Sequence, residues 1–186
     1  MICRMARFAS QESKSRGASR YTLTVAVAVV IASLWVIAGG QQESLTFVTP
    51  SGDKLTLSGL RGKVVVLIFS GIQDPQCRDE LKALNFLVSK YQDKPVSLYW
   101  VSINPPGELN SESLTPACGS PGSAGILGDP AQTAFKRFSA KIPQLPTTVV
   151  IDKEGRLNGQ PIGGFNPDTG FLEYLSNRID PLLESK

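Results

Sequence analysis

Histidine is missing from all 186 residues, and only three cysteines are present, at positions 3, 77 and 118. The first absence removes the imidazole from any chemistry, so no Ser/His or Cys/His nucleophile pair can be built from this chain alone. The second removes a structural zinc site, which needs four ligands that Cys77 and Cys118, the two distant cysteines beyond residue 40, cannot supply. No metal and no cofactor are expected. Low-complexity tracts and internal repeats are also lacking. Charge is sparse and uneven: residues 1–40 hold Arg4, Arg7, Lys14, Arg16 and Arg20 against Glu12, a local +4, so that of the overall +3 the remainder carries −1. A nearly neutral domain without a basic stripe offers nucleic acid no electrostatic footprint.

The features that are present begin with an apolar run. Tyr21 to Ala38 contains no charged residue, and eighteen helical residues just cross a hydrocarbon core. The basic residues precede it, so the positive-inside rule keeps residues 1–20 in the cytoplasm and exports the rest of the chain. Val36-Ile37-Ala38 loosely resembles a cleavage site, so a cleaved signal peptide, with a secreted product, is the competing reading. The long basic stretch and the apolar length favour an uncleaved anchor. The expected organisation is a cytoplasmic tail over 1–20, a transmembrane anchor over 21–39, a spacer over 40–44 and one domain over 45–186. The expected location is a cell inner membrane, single-pass, with the domain on the periplasmic side.

Within the domain, Lys63-Val64-Val65-Val66-Leu67-Ile68-Phe69 is an apolar, β-branched run that predicts a strand buried on both faces. Asp74 and Pro75 read as the N-cap and first position of a helix. Leu81, Leu84, Leu87, Val88 and Tyr91 then make one apolar stripe at three- and four-residue spacing. Cys77 thus falls in the first turn of a helix leaving a central strand. Leu45–Val48 and Lys54–Leu57 predict two short strands around a turn, and Val96–Ile103 a second buried strand, parallel to the first by a right-handed crossover. Asn104–Ala124, rich in Pro, Gly and Ser, predicts a long surface loop carrying Cys118, with a short edge element next at Gly125–Gly128. Asp129-Pro130 predicts a helix with Ala134, Phe135 and Phe138 inward. A strand at Thr148–Asp152, a turn and a last strand near Leu157–Ile162 predict an antiparallel edge. Asn166-Pro167 starts a final helix with Phe171, Leu172, Leu175 and Ile179 buried, ended or interrupted at Pro181. The fold class is α/β: a mixed sheet with helices on both faces. Tyr99 and Trp100 read as strand core, Gly163-Gly164 as a strand end, and Lys153 and Arg156 as turn charges.

These residues resemble the thioredoxin superfamily, and in particular the membrane-anchored TlpA/ResA-like thiol–disulfide oxidoreductases of AhpC/TSA-redoxin type. The likeness spans roughly residues 45–185. It rests on Ser51-Gly52-Asp53-Lys54, Leu57-Ser58-Gly59-Leu60-Arg61-Gly62-Lys63, Cys77-Arg78-Asp79-Glu80-Leu81, Leu145-Pro146-Thr147-Thr148 and Ile151-Asp152-Lys153-Glu154-Gly155-Arg156. The resemblance implies a thioredoxin-like fold, with a cis proline at Pro146 that faces the active site. It also implies a substrate groove formed by Leu145, Pro146, Thr147 and Pro75, suited to extended peptide segments or protein thiols and disulfides.

At its centre the sequence departs from the family. The family's Trp-Cys-Pro-Pro-Cys aligns with Gln73-Asp74-Pro75-Gln76-Cys77, so Asp74 stands where the attacking cysteine belongs and no disulfide can close within the motif. A helix N-terminus favours a Cys77 thiolate, whereas the Asp74 carboxylate and burial oppose it. Three functions are compatible with this arrangement. In the first, Cys77 works as a redox thiol with Cys118 as a relocated resolving partner. Alternatively, Cys77 is a small core residue in a redox-silent module that binds peptides or a partner beside Pro146. In the third, Cys77 is a peroxidatic thiol, although Ser70 and Asp74 replace the Pro and Thr that family wants, and a carboxylate donates no hydrogen bond. A copper-chaperone site of the same fold needs a histidine this chain lacks.

Overall fold

The computed structural model describes residues 44–105, 107–140, 144–166 and 170–184. The expected anchor at 21–39 and its flanks lie outside the described residues, and among the described residues no helix is long and apolar enough to cross a membrane. Glu43–Lys186 is one compact unit.

Seven strands form one sheet in the order β2-β1-β5-β4-β3-β6-β7. They are β1 (Thr46–Val48), β2 (Lys54–Thr56), β3 (Val64–Ser70), β4 (Val96–Ser102), β5 (Gly125–Gly128), β6 (Thr147–Ile151) and β7 (Ile162–Gly163). Every residue of β3 is buried, as its unbroken β-branched run requires. Because side chains alternate across a strand, β3 feeds two cores. Val64, Val66 and Ile68 join Trp100 and the apolar stripe of α1 (Cys77–Lys90) on one face, together with Leu175 and Ile179 of α4 (Phe171–Glu184). Val65, Leu67 and Phe69 join Phe47, Val101, Val149 and the inward Ala134 and Phe138 of α3 (Thr133–Phe138) on the other. The sheet is mixed: β3 pairs parallel with β4 over seven residues and antiparallel with β6.

The predicted central strand, parallel crossover, helical stripes and antiparallel edge are all present. Six expectations are corrected. The helix expected from Asp129-Pro130 begins at Thr133, with the Asp129 carboxylate accepting Thr133 N at 2.9 Å ahead of it. The first helix begins at Cys77 with Gln76 at its cap; Asp74 instead closes a turn ahead of it, its carboxylate accepting the Gln76 N–H at 2.9 Å. Asn104–Ala124 is not all loop, because Asn110 caps a helix, α2 (Ser111–Cys118), by accepting from Ser113 N at 2.8 Å. Gly125–Gly128 is no edge, since β5 lies between β1 and β4; glycine at 125 leaves room for the Tyr99 ring, which a Cβ would approach to 2.4 Å. The last strand shrinks to Ile162–Gly163, with Leu157 making only an isolated bridge to Ile151. Pro181 does not end α4. Both it and Asn177, whose carbonyl it deprives of a donor, are exposed, so water can take the donor's place.

Leu84 is fully buried in the middle of the α1 stripe. Leu84→Ala should therefore lower the unfolding free energy by about 2–5 kcal/mol, measured as a lower urea midpoint with an unchanged slope.

Candidate functional site

Parallel pairing brings two connections to one end of the sheet. Ser70 and Ser102 are register partners at the last positions of β3 and β4, and Ile103 N donates to Ser70 O at 3.0 Å just beyond. The chain therefore leaves for α1 and for the α2 region from adjacent points, the position where open α/β sheets place their sites. Asn104 ties the two exits together: its Oδ1 accepts Ile72 N at 3.0 Å and Ser102 Oγ at 3.1 Å, while its Nδ2 donates to Glu108 at 2.8 Å.

Cys77 opens α1 and Cys118 closes α2, and the two are joined in a disulfide with an S–S distance of 2.14 Å and a Cα–Cα distance of 5.2 Å. They lie 41 residues apart in sequence, too far for spacing alone to predict their meeting. Both are buried, at 2 % and 1 % exposure. The Cys118 sulfur also lies 3.8 Å from the Ile72 carbonyl. An oxidised sulfur carries no proton, so this contact becomes a weak hydrogen bond only when the thiol is regenerated. Asp74 is half-buried, and its own carbonyl accepts Cys77 N at 3.2 Å.

Beneath the disulfide sits an acid whose role the sequence did not disclose. Glu80 is fully buried one helical turn after Cys77. Trp100 Nε1 donates to one of its oxygens at 2.7 Å and Ser70 Oγ to the other at 3.2 Å. Burial pushes its carboxyl from the ordinary 4.5 up to about 7; the Trp100 and Ser70 hydrogen bonds hold it back, and the nearby Asp74 charge adds to the rise. A signal was present in the pattern: position 80 shares the inward face with 77, 81 and 84, where an acid is out of place. A buried carboxyl that titrates near neutrality can take up and release protons at working pH.

The Leu145–Pro146 peptide bond is cis. Thr147 pairs with Phe69, which puts Pro146 at the same sheet end as the start of α1. Gly164 N donates to Pro146 O at 2.8 Å, and Gln76 Nε2 donates to Phe165 O at 3.0 Å, linking the residue before Cys77 to the segment beside Pro146. Of the residues expected to line a groove, Pro75 is exposed, Leu145 half-buried, and Pro146 and Thr147 buried; the Thr147 hydroxyl donates to Gln144 O. An open groove of about 410 Å³ runs along Gly163–Asn166 against Phe171 and Tyr174 of α4. Among the described residues no group of acids and cysteines could hold a metal ion.

Known proteins share this architecture. Residues 40–160 match the AhpC/TSA family. No curated protein matches the chain. Solved structures similar to it include a candidate thiol:disulfide interchange protein DsbE from Chlorobium tepidum, 22 % identical with a TM-score of 0.62, covering 75 % of this chain and 93 % of that one. A candidate protein disulfide isomerase from Bacteroides thetaiotaomicron is 23 % identical with a TM-score of 0.63, covering 76 % and 87 %. MTB DsbF, solved in mixed oxidised and reduced forms, is 17 % identical with a TM-score of 0.59, covering 75 % and 95 %. These likenesses establish a thioredoxin-like fold.

The buried acid makes stability depend on pH. Folded Glu80 keeps its proton up to about pH 7, whereas the unfolded chain releases it near 4.5. At Glu80 the folded state thus binds more protons between those values, so this residue's contribution to stability is greatest below pH 4.5 and falls as pH rises towards 7, by roughly 3 kcal/mol at most. Urea unfolding of wild type should show this decline, and Glu80→Gln should flatten it.

Proposed function

The chain belongs to the AhpC/TSA family, and on that footing we propose that it is a redoxin-type thiol–disulfide oxidoreductase whose working pair is Cys77 and Cys118. The observation that carries this reading is the disulfide between the N-terminus of α1 and the C-terminus of α2, at the sheet end that also holds the cis Pro146. Asp74 forbids the usual pair, and Cys118 stands in for the missing sulfur.

The two sulfurs are electrostatically unequal. Cys77 lies at the positive end of α1 and Cys118 at the negative end of α2, so Cys77 is the better thiolate and the better leaving group. A partner's thiolate attacks Cys118 Sγ; the S–S bond breaks, its electron pair leaves on Cys77 Sγ, and a mixed disulfide joins the partner to Cys118. The partner's second thiol, deprotonated, attacks that bond and expels the Cys118 thiolate. Two electrons and two protons pass from a partner dithiol to the pair, and the reverse sequence reduces a partner disulfide. Glu80, one turn from Cys77, is assigned to exchange the proton that Cys77 gains or loses. Since both sulfurs are buried, attack needs a local opening. α2 is the element suited to it, because Pro116 deprives the Glu112 carbonyl of its helical donor.

The substrates are protein thiols or disulfides presented in extended segments beside Pro146, with the Gly163–Asn166 groove taking a flanking side chain. The setting is the exported face of a membrane, an oxidising space where such a pair forms, with residues 21–39 as the anchor. That groove, with Tyr174 half-exposed along it, also favours a second reading, a redox-silent peptide-binding module in which the disulfide is only a staple.

Mass-tagging with maleimide separates the two. Full-length protein under native conditions should take one tag, at Cys3, before dithiothreitol treatment and three after it. If Cys77 and Cys118 accept tags only once the protein is unfolded, the pair is a staple and the redox assignment fails. Dithiothreitol-driven insulin reduction should be lost in both Cys77→Ser and Cys118→Ser. In full-length Asp74→Cys, the new thiol should capture Cys77 and release Cys118, giving two tags, at Cys3 and Cys118, under oxidising conditions.

A further inference from the structure

The helix that carries Cys77 also grips the segment that carries Cys118, independently of the disulfide. Asn85 lies two turns beyond Cys77 on α1, half-buried. Its Nδ2 donates to Leu81 O at 2.9 Å and to Pro121 O at 2.8 Å, while its Oδ1 accepts Ser123 N at 2.9 Å and Ala124 N at 3.1 Å. Two donors and two acceptor positions are the full capacity of a side-chain amide, and three of the four bonds go to residues three to six places after Cys118. The loop closes tightly around this amide: at Gly122, with φ +59°, a Cβ would come within 2.6 Å of Asn85 Oδ1. On the other side of Cys118, Arg78 Nη2 lies 3.5 Å from Pro116 O and 3.3 Å from Ala117 O, carbonyls at the end of α2. Leu114, one turn before Cys118, is buried in the same core as α1.

We propose that Asn85, seconded by Arg78, is a positioning residue that sets the redox equilibrium of the Cys77–Cys118 pair, by holding the Cys118 segment on α1 when the disulfide is open. The proposal rests on the redox reading of that pair, in which the bond opens and closes. In the reduced protein these bonds keep the two thiols opposed, so that reoxidation carries little ordering cost; the two thiols of one chain act at a high effective concentration towards each other. Without them, the reduced segment undocks and gains freedom that the oxidised segment, tethered by its S–S bond, cannot match. The oxidised form then loses more than the reduced form, and the disulfide becomes easier to reduce.

The test equilibrates full-length protein with defined ratios of reduced to oxidised dithiothreitol. Dithiothreitol gives two electrons and two protons to the pair and closes to its own cyclic disulfide, and maleimide mass-tagging reads the reduced fraction. Asn85→Ala should lower the equilibrium constant for disulfide formation about tenfold, roughly 30 mV for a two-electron couple. Asn85→Asp, which keeps the acceptor for Ser123 N and Ala124 N but loses the donor to Pro121 O, should fall between it and wild type. Arg78→Met, removing longer and more exposed contacts, should shift the constant about two- to threefold. Lys82→Ala, whose exposed ion pair with Asp79 stays within α1, should leave it unchanged. A merely structural Asn85 would weaken oxidised and reduced forms alike and leave the constant where it was. That result in Asn85→Ala, or in Asn85→Asp should the first variant fail to fold, overturns the proposal while the redox assignment survives. A wild-type pair that native dithiothreitol cannot open overturns both.

Discussion

The parallel pairing of β3 with β4 is the constraint on which the site depends. Seven register pairs, from Val64 with Val96 to Ser70 with Ser102, bring two strands to an end at the same level. The two connections beyond them therefore start side by side, and Asn104 fastens them with its bonds to Ile72 and Ser102. Among the described residues, the candidate site is suspended from that sheet end: the first residue of one helix, the last residue of another, the acid one turn inside, and the cis proline just ahead of the neighbouring antiparallel strand. A slip of one residue in the β3–β4 register would exchange the faces of all the side chains involved, turning Trp100 away from Glu80 and the disulfide partners away from each other.

Much of this frame was legible in the sequence, and for a uniform reason. β3, the α1 stripe and the buried face of α4 announce themselves through periodic apolar residues, where hydrophobic burial leaves a mark that local spacing can reveal. The cis Pro146 came instead through resemblance. The hidden features depended on contacts distant in sequence. The α2 helix is short, contains a proline and sits in a stretch rich in Ser and Gly, so propensity argues against it; an Asn110 cap and the burial of Leu114 and Cys118 override that preference. Asp74-Pro75 satisfies the rules for a cap and so points to a helix start at Pro75, ahead of Cys77, yet here the aspartate closes a preceding turn. The inward spacing of Glu80 marks an acid out of place, but nothing in one helix discloses that an indole from the adjacent strand will reach it.

The environment of Glu80 explains why one acid tolerates this core. An ionised carboxylate there would sit among apolar side chains with a donor on each oxygen and the Asp74 charge close by; a neutral carboxyl keeps one of those hydrogen bonds strong at far lower desolvation cost. The polar pair Trp100–Glu80 also joins β4 to α1 one turn from Cys77, so the acid braces the helix that carries this cysteine.

Distance along the chain gives the pair one more property. A bond within a four-residue motif closes a small ring, whereas Cys77–Cys118 encloses α1, β4 and α2 in a ring whose ends are 41 residues apart. Closing a loop of that size restricts the unfolded chain by roughly 4 kcal/mol. Linkage requires that the fold return the same free energy to the S–S bond, making it about a thousandfold harder to open in the native protein than in the unstructured polypeptide. Thermodynamically, the pair is thereby tilted towards its disulfide, so that once reduced it is the stronger electron donor.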